Sequence, residues 1–182
     1  MELFEKQLSS EYFYRGRIIN MRRDEALLPD GTKAYREVVE HPGGVCVAAL
    51  TENDEVLFVR QFRYPYAEEV LEIPAGKRDR GEIDPLECGK RELLEETGAE
   101  AENFFSLGTL YPTPGYTDEV IYMYGATGLS YGEAQPDEDE FLALEKIPLE
   151  KAVCMVMDGS LPDAKTQTCI LKLWKLRIEG KI

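Results

Sequence analysis

Short apolar stretches alternate with turn residues along most of the chain, and a helical period takes over in only three segments. Residues 12–24 carry Tyr14, Ile18, Ile19 and Met21 among polar neighbours and read as a strand. Leu27-Leu28-Pro29-Asp30-Gly31-Thr32 is a hairpin with a Pro-Asp-Gly turn, and residues 35–40 return as the next strand. Pro42-Gly43-Gly44 breaks the chain. Residues 45–50 and 55–62 are strands joined by Glu52-Asn53-Asp54, and a short strand at 70–73 ends in Pro74-Ala75-Gly76. A helix then has a clear start: Asp84 can cap it, Pro85 suits its first position, and Glu87 lies three residues after the cap. Gly98 is placed to close it. Strands at 103–109 and 119–125 flank the loop 111–116, and an acidic loop at 135–140 precedes a strand at 141–147. The last elements are helices at 148–157 and 163–179, the second with Leu171, Trp174 and Ile178 as its buried stripe. Strands and helices mix without a βαβ rhythm. The expected class is α+β, an αβα sandwich with a mixed sheet over residues 42–182, preceded by a small antiparallel sheet over residues 1–41.

Composition narrows the partners. A chain of 182 residues suits one medium domain, or one domain with a small appendage. Its net charge of −14 excludes a nucleic-acid backbone partner, which needs a basic footprint. An acidic protein can still bind phosphates where cations or a few arginines invert the local field. The longest apolar run, residues 45–50, is far too short for a bilayer, so no membrane partner is expected. The start, Met-Glu-Leu-Phe-Glu-Lys, lacks the basic-then-apolar layout of a signal peptide, and a cytoplasmic location is the expectation. Cys46, Cys88, Cys154 and Cys169 have no metal-ligand spacing and read as reduced thiols.

Candidate chemistry concentrates in Arg91-Glu92-Leu93-Leu94-Glu95-Glu96-Thr97-Gly98. On a helix Glu92 and Glu96 lie one above the other, and Glu95 flanks them. Three carboxylates on one face repel unless a cation sits among them, and Arg91 relieves only part of that. Magnesium binds through a few carboxylates plus phosphate oxygens, which makes Glu92, Glu95 and Glu96 candidate ligands. Leu86, Leu93 and Leu94 occupy another face and leave the acidic one for a site. On the helix alone, a solvated, salt-bridged surface is the commoner meaning of such a run.

The wider pattern changes that balance. Gly76, Glu82, Arg91, Glu92, Leu93, Glu95, Glu96, Gly98 and Ala99 fill every fixed position of a glycine–loop–helix signature. The stretch resembles the Nudix box, found in hydrolases of nucleoside diphosphates linked to another moiety. One departure stands: eight residues rather than seven separate Glu82 from Arg91. The extra residue belongs near Ile83, before the helix, because loops tolerate insertions. Inside the helix it would rotate the carboxylates by about 100°. Arg60-Gln61-Phe62-Arg63-Tyr64, Leu71-Glu72-Ile73-Pro74-Ala75-Gly76, Thr113-Pro114-Gly115-Tyr116-Thr117-Asp118-Glu119 and Asp137-Glu138-Asp139-Glu140-Phe141 are similar to the ADP-ribose pyrophosphatase subfamily. Other nucleotide-sugar enzymes share these motifs.

The resemblance implies a Nudix-like αβα fold and metal-dependent cleavage of a nucleoside diphosphate sugar, foremost ADP-ribose to AMP and ribose 5-phosphate. It adds the Ala75 carbonyl to Glu92, Glu95 and Glu96 as ligands of magnesium, or of manganese in its place. Arg91 orients the glutamates. Arg63, at the end of an apolar strand, is expected to meet the diphosphate, with Arg60, Pro114 and Glu119 as further substrate contacts. Glu72 reads as a carboxylate behind the metal ligands or as a buried salt-bridge partner. The general base is expected from the acidic loop: Glu140 first, because it adjoins Phe141, and Glu138 second. The N-terminal sheet is expected to cross to a partner subunit and complete a nucleotide pocket, which implies a homodimer. Tyr12, Phe13, Tyr14 and Tyr116 are candidates to stack on the base, and His41 is taken as structural. The alternatives are a pyrophosphatase for another nucleotide sugar or dinucleotide, and a non-catalytic sensor of the same fold, which the retained carboxylates disfavour.

Overall fold

The computed structural model describes residues 3–78, 84–134 and 141–182. Glu82, Ile83, Glu138 and Glu140 lie outside them. The chain divides into two compact units.

One unit holds Met1–Gly43 with Tyr111–Val120. Its antiparallel sheet runs in the order β1 (Lys6–Arg15), β2 (Asn20–Leu27), β3 (Lys33–Glu40). The single strand expected over residues 12–24 is therefore two. The chain reverses where the Gly16 N–H donates to the Ile19 carbonyl at 2.9 Å, and the Tyr14 ring covers the space a Gly16 Cβ would need. No Pro, Asn or Asp marks this turn. The hairpin between β2 and β3 is as expected: Asp30 accepts from the Thr32 N–H and hydroxyl, and Gly31 adopts φ +85°. The 111–120 segment joins this unit through hydrogen bonds between Val39 and both Tyr116 and Asp118.

The other unit holds Gly44–Leu110 and Ile121–Ile182. It has two sheets. The first runs β10 (Ala143–Pro148), β5 (Glu55–Arg63), β6 (Glu68–Glu72), and the second β7 (Ala75–Lys77), β4 (Gly44–Ala49), β9 (Ile121–Tyr131), β8 (Ala99–Leu110). The second sheet is mixed, since β4 pairs parallel to β9 and antiparallel to β7. All of β4 is buried, and its period of two serves two cores. Cys46 and Ala48 face a cluster with Cys169, Ile170 and Leu173 of α3 (Ala164–Ile178) and Ala152 of α2 (Leu149–Met157). Val47 and Ala49 face a cluster with Leu93 of α1 (Pro85–Thr97). Helices on both sides of one strand make the αβα sandwich. Each fully buried leucine, such as Leu93, contributes about 2 kcal/mol.

The stripe expected on α3 is corrected. Leu171 and Ile178 are exposed, and Trp174 is only partly covered. The buried residues are Lys165, Thr166, Cys169, Ile170 and Leu173. Lys165 and Thr166 sit inside because partners on β6 and the residue after it satisfy their polar groups.

Candidate active site

Helix α1 begins and ends where its local chemistry dictates. The Asp84 carboxylate accepts from the Leu86 N–H at 2.9 Å, Pro85 opens the helix, and Gly98 closes it in the left-handed region at φ +69°. The helix over Pro85–Thr97 keeps Glu92, Glu95 and Glu96 in the spacing the sequence predicts.

Two of these carboxylates are not on a solvated face. Glu92 and Glu96 are 8% and 5% exposed, pressed against β7. Gly76 makes this possible: a Cβ there would lie 1.9 Å from the Glu92 carboxyl carbon. The backbone comes close enough only because residue 76 has no side chain. One residue earlier, the Ala75 N–H donates to Glu96 Oε2 at 3.0 Å. The strand thus seats both carboxylates, each through one residue. Arg91 crosses the face from outside, with its guanidinium 2.8 Å from Glu92 and 2.7 Å from Glu95. Partial burial disfavours its charge, but Glu92 and Glu95 outweigh that and raise its pKa above the ordinary arginine value.

Three carboxylates and one arginine leave a formal charge of −2 on the helix face. All the donors are hard oxygens, and two sit in a recess that excludes most water. That donor chemistry fits a divalent cation such as magnesium. Among the described residues no three acidic, His or Cys side chains form a ready cluster, and Glu82 lies outside those residues.

Arg63 and Glu72 form a second constellation in the same unit. Arg63 donates from Nε and Nη2 to the two Glu72 oxygens, both at 2.6 Å, and Lys165 bonds the same carboxylate. Glu72 is only 2% exposed and is a buried salt-bridge partner. Burial raises its pKa, yet Arg63 and Lys165 overcome that and hold it below the usual carboxylate value. Burial likewise works against the Lys165 charge, but Asp163 and Glu72 raise its pKa overall. Arg60 pairs with Glu145 across the β5–β10 ladder at 2.7 Å. In the first unit, Glu119 lies 3.4 Å from His41 Nδ1, and the His41 backbone N–H donates to the Asp118 carboxylate. Pro114 helps line a concavity of that unit of about 280 Å³, together with Asp24, Arg36 and Tyr116. Sequence reasoning missed Lys165, Thr166 and Glu145. Their partners are 85 to 93 residues away, and no local signal marks them.

Helix α1, with Glu92 and Glu96 buried against β7, lies within the span that a known family matches. The chain belongs to the Nudix family: the NUDIX domain matches residues 40–167, and the nucleoside diphosphate sugar hydrolase N-terminal domain matches residues 5–39. It is a Nudix hydrolase. Among its relatives, an ADP-ribose pyrophosphatase of Bacillus subtilis (strain 168) is 38% identical over 170 residues, covering 92% of this chain and 91% of the relative. A methanol dehydrogenase activator of Bacillus methanolicus is 40% identical over 164 residues, covering 89% and 88%. A crystal structure of an ADP compounds hydrolase superposes with a TM-score of 0.86 at 21% identity, over the whole of both chains, and shows the same fold.

Proposed function

We propose that this Nudix hydrolase cleaves the diphosphate bond of a nucleoside diphosphate sugar, with ADP-ribose as substrate and AMP and ribose 5-phosphate as products. The observation that carries the reading is the seating of Glu92 on Gly76 and of Glu96 on the Ala75 N–H. The ADP-ribose pyrophosphatase relative supports the substrate. The Ala75 carbonyl, Glu92, Glu95 and Glu96 would hold magnesium, or manganese in its place. A cation held there would supply neutralisation of diphosphate charge and a more acidic bound water.

The chain's own residues do the rest. Arg91 bridges Glu92 and Glu95 and orients them. Glu140, or failing it Glu138, accepts the proton of the attacking water, whose oxygen joins one phosphorus as the bridging bond breaks. Arg63 gives one edge of its guanidinium to Glu72 and presents the other to phosphate oxygens. Arg60, Pro114 and Glu119 complete the substrate contacts. The N-terminal sheet serves a homodimer, and the protein works in the cytoplasm.

The test is a magnesium-containing panel of ADP-ribose, ADP-glucose, GDP-mannose, NADH, diadenosine polyphosphates and 8-oxo-dGTP, with products separated by chromatography. ADP-ribose should give the highest kcat/KM. Another compound cleaved about tenfold better would overturn the substrate, and no cleavage of any would overturn the reaction. The activator relative favours a second reading, in which the chain stimulates a dehydrogenase. Methanol dehydrogenase turnover with and without the chain tests it, and an unchanged rate excludes it for that enzyme.

A further inference from the structure

Five consecutive residues, Glu72 to Gly76, are held by contacts to three parts of the fold: α3, β4 and α1. Pro74 accepts from the Val47 N–H of β4 at 2.9 Å. Ala75 and Gly76 seat the α1 carboxylates. The first two residues are held from the opposite side of the sheet, by the first turn of α3. Lys165 bonds the Glu72 carboxylate, and the Thr166 hydroxyl accepts the Ile73 N–H at 3.0 Å. That hydroxyl also gives its one proton to Asp163 at 2.6 Å, which leaves its oxygen free to accept. Thr166 and Ile73 are both completely buried.

We propose that Thr166 is a positioning residue for the hydrolase site: by fixing Ile73 it sets where Ala75 and Gly76 stand, and through them where Glu96 and Glu92 stand. The inference rests on the carboxylate site proposed above. Its physical basis is that a buried N–H must keep an acceptor. With the hydroxyl gone and the volume kept, as in Thr166→Val, the Ile73 N–H has no acceptor in place. The segment then moves to find one, and Ala75 lies two residues on. The α3 cap survives, because Asp163 still accepts from the backbone N–H of residue 166. Thr166 touches no reacting atom, so its effect falls on turnover rather than on substrate affinity.

The experiment compares Thr166→Val, Thr166→Ser and Glu96→Gln in the full chain. Two readouts are used: ADP-ribose hydrolysis at saturating magnesium, and amide hydrogen exchange at Ile73 and Ala75 in metal-free protein. Thr166→Val should lower kcat about tenfold, less than the roughly 100-fold of a full ångström misplacement because the shift reaches the carboxylates through two residues of backbone, with KM within about twofold. Exchange should rise at Ala75 as well as at Ile73, and Thr166→Ser should restore both readouts. Exchange that rises at Ile73 alone, with normal kcat, overturns the proposal. Equal loss in the valine and serine variants overturns it too, since the hydroxyl would not be the agent. A fully active Glu96→Gln overturns the site itself, which distinguishes that failure from a failure of Thr166 alone.

Discussion

Replacing Gly76 by alanine separates the chemistry of the site from the stability of the fold. The new Cβ would lie 1.9 Å from the Glu92 carboxyl carbon and 2.0 and 2.2 Å from its oxygens, where ordinary contact begins at 3.4 Å. The carboxylate must therefore retreat by 3.4 − 1.9 = 1.5 Å. It can do so, because it ends a flexible side chain, so the backbone need not give. An ångström-scale misplacement of a catalytic group costs about 100-fold in rate, and kcat should fall by at least that. The fold loses little. A glycine without positive φ loses unfolded-state entropy on becoming alanine, a gain of about 0.4–1 kcal/mol that offsets part of the displacement. At about 2–4 °C per kcal/mol for a chain of this size, Tm should stay within roughly 4 °C of the parent. Steady-state hydrolysis of ADP-ribose at saturating magnesium, beside differential scanning fluorimetry, gives both numbers. Near-normal turnover would refute the claim that Glu92 must sit against residue 76, and joint loss of activity and folding would refute the separation.

Three further outcomes are expected, the first from the contacts of Glu72 and the other two from the proposed function. Glu72 has a depressed pKa, so its ion pairs stabilise the fold above the ordinary value of 4.5 and are lost as pH falls through the lower folded value. Glu72→Gln should therefore cost about 3 kcal/mol or more in urea unfolding at pH 7 and less once the pH is well below 4.5, and an equal cost at both would contradict the pairing. Lys165 has a raised pKa, so its contribution is present below 10.5 and disappears only as pH rises beyond its folded value. Glu140→Gln should lower kcat far more than it raises KM, whereas a defect confined to Glu138→Gln would move the base two residues earlier. Sedimentation should give a dimer, and a fully active monomer at micromolar concentration would rule out the role given to residues 1–41.

Local chemistry made α1 legible from the sequence. Asp84, Pro85 and Gly98 each act within a few residues, and the helix ends where they say. Its acidic face was legible as spacing but not as environment. The depth of Glu92 and Glu96 depends on β7, and β7 is placed by its pairing with β4, some 30 residues away. Gly76 could be quoted as a motif residue, but only the packing shows what its missing side chain permits. The turn at Gly16 was missed because a lone glycine, with no Pro, Asn or Asp within the reversal, does not break an otherwise strand-like run. The inner face of α3 was misread because Lys165 and Thr166 look like surface residues until Glu72 and Ile73 are seen beside them. Arg63 was read by its place at a strand end, which the structure keeps, but its firm hold on Glu72 is a contact between strands.

On the proposed function, the carboxylates of α1, seated on Ala75 and Gly76, are the working groups of a nucleoside diphosphate sugar hydrolase. The most direct measurement follows ADP-ribose by phosphorus NMR, with magnesium, in the parent chain and in Glu96→Gln. The parent should convert it to AMP and ribose 5-phosphate, and Glu96→Gln, still folded, should do so at least about 100-fold more slowly. Equal conversion by both would contradict the claim.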